Sequence, residues 1–190
     1  MIPAVILAAG KSTRMGRVKA TLPVGDGPET FLTRIIRTCQ HAEVDDVVVV
    51  LGHEAEAVRE SVARSGLQPR LVVNADYESG QLSSLLAGVC AIDRPGVNAM
   101  LLTLVDVPFV SADTIRAVVQ RYRTKGAPVV RPVRGVLHGH PVLLDRSLFD
   151  ALRGADPASG AKPIVRANVS VAGDLAIDDE GAFVDIDTPE

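Results

Sequence analysis

The residues best placed to do chemistry stand at the start of the chain. Ala4-Val5-Ile6-Leu7 runs directly into Ala8-Ala9-Gly10-Lys11-Ser12-Thr13-Arg14-Met15-Gly16, and Lys19 follows three positions after Gly16. An apolar run that opens into a turn of small residues lets a backbone approach a phosphate closely, with free N–H groups aimed at the anion. Arg14 and Lys19 add the positive charge that a polyphosphate requires. Ala8, Ala9, Gly10, Ser12, Arg14 and Lys19 are therefore the expected nucleotide-phosphate site. The turn is not a Walker A loop, which needs a glycine five residues before the Gly-Lys pair, where Val5 stands. Nor is it a GxGxxG fingerprint, since residue 12 is serine.

Further along, Asp106-Val107-Pro108 ends an apolar run, Met100–Val105. A carboxylate at a strand end beside a phosphate turn suits Mg²⁺, which takes oxygen ligands and commonly uses one or two carboxylates plus substrate phosphates. Asp185-Ile186-Asp187-Thr188-Pro189 lies near the end of the chain. Alternation turns Asp185 and Asp187 the same way, so one or both can meet that metal, or both can belong to a solvated acidic tail. Asn74 through Ser84 forms a polar loop leading into a helix, with Ser83 or Ser84 as the expected cap. Gly139-His140-Pro141-Val142 offers a histidine for a substrate hydrogen bond or for base chemistry, or as an ordinary turn residue. No Gly-x-Ser-x-Gly elbow supports a hydrolase.

These residues need elements to position them. Strands are expected at Ala4–Leu7, Val47–Leu51, Arg70–Val73, Ala99–Val105, Ala127–Arg131 and His140–Leu144. Helices are expected at Thr30–Gln40, Glu54–Arg64, Ser83–Ala91 and from Ser111 to about Arg123. Unalternated apolar strands interleaved with helices predict a mostly parallel sheet covered on both faces, and the last two strands, joined by Gly135–Gly139, add an antiparallel element. Gly154–Pro163 reads as a mobile loop. In open α/β sheets, ligands gather at the C-terminal strand ends. Gly10, Asn74 and Asp106 all fall on that edge.

Composition narrows the function. The 190 residues, 47% of them hydrophobic, fit one domain with a sizeable core. A net charge of -3, 3% aromatic residues and no Trp argue against a nucleic-acid-binding surface. No run approaches the roughly 20 apolar residues of a membrane span, and no signal peptide is evident, so the expected location is cytoplasmic. Cys39 and Cys90 have no metal or redox spacing and are expected as buried, reduced thiols.

Taken together, these segments resemble the molybdenum-cofactor nucleotidylyltransferases, a branch of the MobA-like NTP transferases. The resemblance rests on Leu7-Ala8-Ala9-Gly10-x-Ser12-x-Arg14-Met15-Gly16-x-x-Lys19, on Asn74-x-x-Tyr77-x-x-Gly80, on Ser83-Ser84 and on Asp106-x-Pro108. It continues through Gly139-His140-Pro141-Val142 and Asp185-Ile186-Asp187-Thr188-Pro189. The last two motifs and Ala8-Ala9-Gly10 are closest to the cytidylyltransferase branch. Val107 departs from the Met usual there, and Lys162 stands where an Arg is frequent.

The resemblance implies a single-domain Rossmann-like three-layer α/β sandwich over residues 1–190, of the nucleotide-diphospho-sugar transferase type. It also implies a reaction: CMP passes from CTP to the terminal phosphate of a molybdopterin-type cofactor, and pyrophosphate leaves. By this reading Arg14, Lys19 and Asp106 are catalytic, and Asp106 and Asp187 hold Mg²⁺, with Mn²⁺ suited to the same oxygens. Asn74 and Gly80 meet the nucleoside, and Ser83, Ser84, Gly139 and His140 face the acceptor. A molybdoenzyme receiving the cofactor is a compatible partner. The alternatives are a guanylyl- or sugar-phosphate nucleotidylyltransferase, or a non-catalytic carrier that delivers the cofactor.

Overall fold

The computed structural model describes residues 1–11, 17–44 and 46–186. Three parallel strands follow from the continuous apolar runs: β1 (Ala4–Ala8), β2 (Val47–Leu51) and β4 (Ala99–Leu104), with β3 (Arg70–Val73) parallel to β2 at an edge. Every residue of β1 and β2 is buried, as strands covered on both faces must be. Among the described residues the sheet has eight strands, these four with β5 (Val129–Arg134), β6 (Leu137–His138), β7 (Val142–Asp145) and β8 (Asp174–Ala176), in the order β3-β2-β1-β4-β7-β5-β6, with β8 beside β5. Register sets Ala8 opposite Leu51, Leu51 opposite Val73 and Leu7 opposite Leu104, so the C-terminal ends of β1 to β4 form one rim.

Helices cover both faces. α1 (Phe31–His41), α2 (Ala55–Arg64) and α4 (Ala112–Lys125) pack Ile36, Val58 and Val118 against Ala4, Ile6 and Ala8. α3 (Gln81–Ile92), α5 (Phe149–Arg153) and α6 (Lys162–Asn168) cover Val5 and Leu7 through Leu85, Phe149 and Val165. Local signals fix the ends. Thr30 and Thr33 cap α1 reciprocally, and the Ser111 hydroxyl accepts from Thr114 N at the start of α4. Gly126 closes α4 at φ +62°.

Four expectations change. Neither Ser83 nor Ser84 caps α3, whose cap is Gly80 with no side-chain hydrogen bond. The expected late hairpin is subdivided: β5 (Val129–Arg134) turns into the short β6 (Leu137–His138), and β7 (Val142–Asp145) then inserts antiparallel between β4 and β5. The 154–163 stretch contains a turn organised by Asp156, whose carboxylate accepts from Ala158 N and Ser159 Oγ, and it leads into α6. Cys90 is exposed while Cys39 is buried, because Cys90 falls on the outer side of α3, away from Val89 and Ile92 in the core. β8 (Asp174–Ala176) was not foreseen.

Candidate active site

The rim of strand ends gathers the polar residues. Ala8 and Ala9 are buried, and the Ala9 carbonyl accepts from His53 N at 3.1 Å, tying the turn after β1 to the end of β2. Gly10 is exposed beyond them. Gly52 allows this junction: a Cβ there would lie 2.7 Å from the Tyr77 side chain and 2.8 Å from Ala9 Cβ. Lys11 bridges to Glu78 across the same edge. Hydrogen bonding and charge raise the Lys11 pKa and lower that of Glu78, but both groups are exposed, so the pair is screened. Ser12, Arg14 and Asp187 lie outside the described residues.

Lys19 opens a single 3₁₀ turn and is 91% shielded from solvent. Its ammonium lies 3.4 Å from Asp106 Oδ2, at the turn after β4. A shielded lysine needs an anion nearby, and this one is delivered from a distant strand. Asp106 Oδ1 is buried and has no hydrogen-bond partner among the described residues. That orphaned oxygen fits a cation ligand, since a buried carboxylate oxygen without a partner is costly.

Asn74 is buried at the end of β3. Its amide nitrogen donates to Ser83 Oγ at 2.9 Å and Ser84 Oγ at 3.0 Å, while its Oδ1 accepts from Asp76 N. Ser83 Oγ donates in turn to the Asp76 and Gly80 carbonyls. The structure therefore groups Asn74, Ser83 and Ser84 as one network that shapes the loop reaching Gly80, where φ is +104°.

Gly139 and His140 sit between β6 and β7, against residues 179–186. The His140 N–H donates to the Ala182 carbonyl at 2.8 Å, and a Cβ on Gly139 would lie 2.4 Å from that same oxygen. A Cβ on Gly181 would lie 2.0 Å from the Phe109 carbonyl. The Asp179 carboxylate accepts from Ser111 N and the Thr114 hydroxyl, and Ile186 N donates to the Asp106 carbonyl at 2.8 Å. This stitching ties the residue after Asp185 to the Asp106 backbone, and the charges of both Asp185 and Asp106 reach His140. Of the two carboxylates that alternation places on one side, only Asp185 is among the described residues. Burial lowers the His140 pKa, opposed by a long 3.5 Å contact to the Leu102 carbonyl and by the charges of Asp185 and Asp106. A carbonyl can only accept, so Nδ1 is the donor in that contact.

His140 and Asp185 also line a cavity of about 630 Å³ bounded by α3, β4, β7 and α6. Ser83 and Ser84 do not line it, although their neighbours Gln81 and Leu82 do. Among the described residues no group of three or more His, Cys, Asp and Glu side chains forms a metal cage. A Mg²⁺ site commonly needs only one or two carboxylates, with substrate phosphates supplying further oxygens.

Residues 4–171 match the MobA-like NTP transferase domain. The chain is 34% identical to nicotine blue oxidoreductase of Paenarthrobacter nicotinovorans, covering 100% of this chain and 93% of that one. It is 27% identical to molybdenum cofactor cytidylyltransferase of Escherichia coli K12, covering 100% and 92%. A nucleotidyl transferase from Methanothermobacter thermautotroptrophicus superposes with a TM-score of 0.79 at 26% identity, covering 99% and 92%. The fold is that of the nucleotide-diphospho-sugar transferases.

Proposed function

The chain belongs to the MobA-like NTP transferase family, and on that premise we propose that it transfers CMP from CTP to the terminal phosphate of a molybdopterin-type cofactor, releasing pyrophosphate. The observation that carries this reading is the shielded pair of Lys19, in its 3₁₀ turn, and Asp106, after β4, with one Asp106 oxygen left without a hydrogen-bond partner among the described residues. A phosphate-binding turn needs such a cation, and a divalent metal needs such an oxygen.

In the reaction, an acceptor phosphate oxygen attacks the α-phosphorus in line, the bond to the β-phosphate breaks, and pyrophosphate departs. The nucleophile is already ionised, so no general base is required. The protein's work is positioning and charge neutralisation. Lys19, with Arg14, holds the β- and γ-phosphates and stabilises the leaving group. The backbone around Ala9 and Gly10 cradles the phosphates, and the network around Asn74 presents Gly80 to the nucleoside. Asp106 with Asp185 or Asp187 would hold Mg²⁺ or Mn²⁺, which when bound neutralises the phosphates against the incoming anion. His140 offers its ring to the acceptor as a hydrogen-bonding group, and Gly139 keeps that turn against Ala182.

The test is a thermal-shift titration with CTP, GTP, ATP and UTP, each with and without Mg²⁺, followed by pyrophosphate release with molybdopterin cofactor. A ligand that binds the folded state alone raises stability by RT ln(1 + [L]/Kd). A selective, Mg²⁺-dependent CTP shift with acceptor-dependent pyrophosphate release is the expected result. Preference for GTP or UTP would move the acceptor and nucleotide assignment to another branch. A second reading, redox chemistry, draws support from the 34% identity to an oxidoreductase. Oxidation of NADH or NADPH by the purified protein, with no nucleoside triphosphate shift, would favour it.

A further inference from the structure

The cavity beside His140 holds an imbalance of charge. Its walls include Leu82, Leu85, Leu102, Val142, Leu144 and Val165. Into this apolar lining come three cationic side chains, Arg131, Lys162 and Arg166, against one carboxylate, Asp185. Arg131 is the most enclosed, with a side chain only 14% exposed. Its Nε donates to Asp174 Oδ1 at 2.8 Å, and its backbone N–H donates to the Gly173 carbonyl. β8 thus clamps one edge of the guanidinium. The Nη atoms have no hydrogen-bond partner among the described residues, so the other edge of a rigid fork is available. Lys162 and Arg166 are four residues apart on α6 and share a helix face. Neither is in an ion pair among the described residues. Like charges around one partly apolar space repel unless an anion joins them.

The position of this cluster matters. Lys19 and Asp106 are not among the cavity-lining residues, whereas Asp185 and His140 are, so the cavity opens onto the reacting site at that end. We propose that the cavity takes an acceptor with a flat or apolar body and a second anionic group, a carboxylate or phosphate, remote from the reacting oxygen, and that the free edge of Arg131 reads that group. Asp174 is the positioning residue that holds Arg131 for this purpose. The proposal rests on the nucleotidyl-transfer reading for what reacts at Asp106. The charge and shape of the cavity stand independently of it.

The test is a thermal-shift titration at constant ionic strength with three probes: inorganic phosphate exchanged for chloride, pterin-6-carboxylate, and 6-methylpterin as the uncharged flat control. We expect phosphate or pterin-6-carboxylate to stabilise the wild type, and the carboxylate to bind at least about tenfold better than 6-methylpterin. Arg131→Gln should lose about tenfold or more of that affinity, the scale of a charge-assisted hydrogen bond. Lys19→Gln should keep it. Lys162→Gln and Arg166→Gln, on a helix with no buried residue, weaken it in the same direction without disturbing the Arg131–Asp174 pair. Asp174→Asn should reduce affinity while retaining the charge dependence on salt. Which of the two anions binds identifies the second group. Equal binding of charged and uncharged pterins, full affinity in the folded Arg131→Gln and Lys162→Gln variants, loss in Lys19→Gln alone, or no response to either anion would each overturn the proposal. CTP·Mg²⁺ shifts in the same samples report on nucleotidyl transfer separately, so failure of one reading is distinguishable from failure of the other.

Discussion

Gly88 lies on the inner side of α3, directly over the centre of the sheet. A Cβ at this position would fall 2.5 Å from Val5 Cγ1 and 3.3 Å from Val50 Cγ2. Ordinary carbon contacts are about 3.5–4.0 Å, so Gly88→Ala is short by about 1 Å against Val5. Val5 and Val50 have no solvent exposure and cannot rotate away. Overpacking of this kind is destabilising by about 1–3 kcal/mol, and the upper half of that range suits two enclosed partners. Replacing glycine within a helix returns about 1 kcal/mol. The net expectation is a loss of about 1–2 kcal/mol, which for a chain of this size lowers Tm by about 2–8 °C. Thermal unfolding followed by circular dichroism reads it. Val5→Ala removes the clashing methyl groups, so the double variant should be more stable than the sum of the single effects by at least about 1 kcal/mol. A Tm for Gly88→Ala at or above wild type, or simple additivity, would refute the close approach of α3 to β1.

Asp106→Asn preserves shape and removes the charge beside Lys19; pyrophosphate release should fall by about 10²–10³ with the circular dichroism spectrum unchanged, and full turnover would sink the metal and phosphate assignment. His140 binds its proton less readily when folded than its ordinary value of 6.5, because of burial. Its neutral form therefore contributes stability that is complete above that value and is lost as pH falls through the folded pKa. The stability difference between wild type and His140→Gln should shrink between pH 7 and pH 5, and a difference that grows on acidification would contradict the burial. For the thiols, burial pushes Cys39 up to about 12, whereas Cys90 is exposed. A thiol reagent should titrate one cysteine in the native protein and the second on unfolding; Cys90→Ser should abolish the native reaction.

Much of the rim of strand ends was legible because it is local. A run of β-branched and aliphatic residues announces a buried strand, and a small-residue turn after it announces a place where backbone and anion approach. α1 and α4 carried their own caps at Thr30 and Ser111. The part of the sheet from β5 to β8 was far less legible. β7 inserts between β4 and β5 through pairings of distant segments, and β8 is three residues of mixed polarity with no periodic signal. The Arg131–Asp174 contact depends on β5 and β8 lying parallel, a fact of topology that residue types do not encode. The hydrogen bond from Ile186 to the Asp106 carbonyl, which ties the segment carrying Asp185 to the turn after β4, joins distant parts of the chain and has no local signal. Cys90 had the composition of a core residue and the phase of a surface one, so residue type misled where helix phase did not.

The passage of residues 179–186 between the Asp106 turn and the Gly139 turn has a mechanical consequence. Gly181 seats against the Phe109 carbonyl, the Ala182 carbonyl accepts from His140 N, and Ile186 N donates to the Asp106 carbonyl. One short piece of backbone thus splints two turns that belong to different strands. Close-packed contacts of this kind transmit strain rather than absorb it. A side chain forced in at Gly139 or Gly181 would therefore displace the Asp106 turn as well as the His140 turn, although neither glycine carries a functional group of its own.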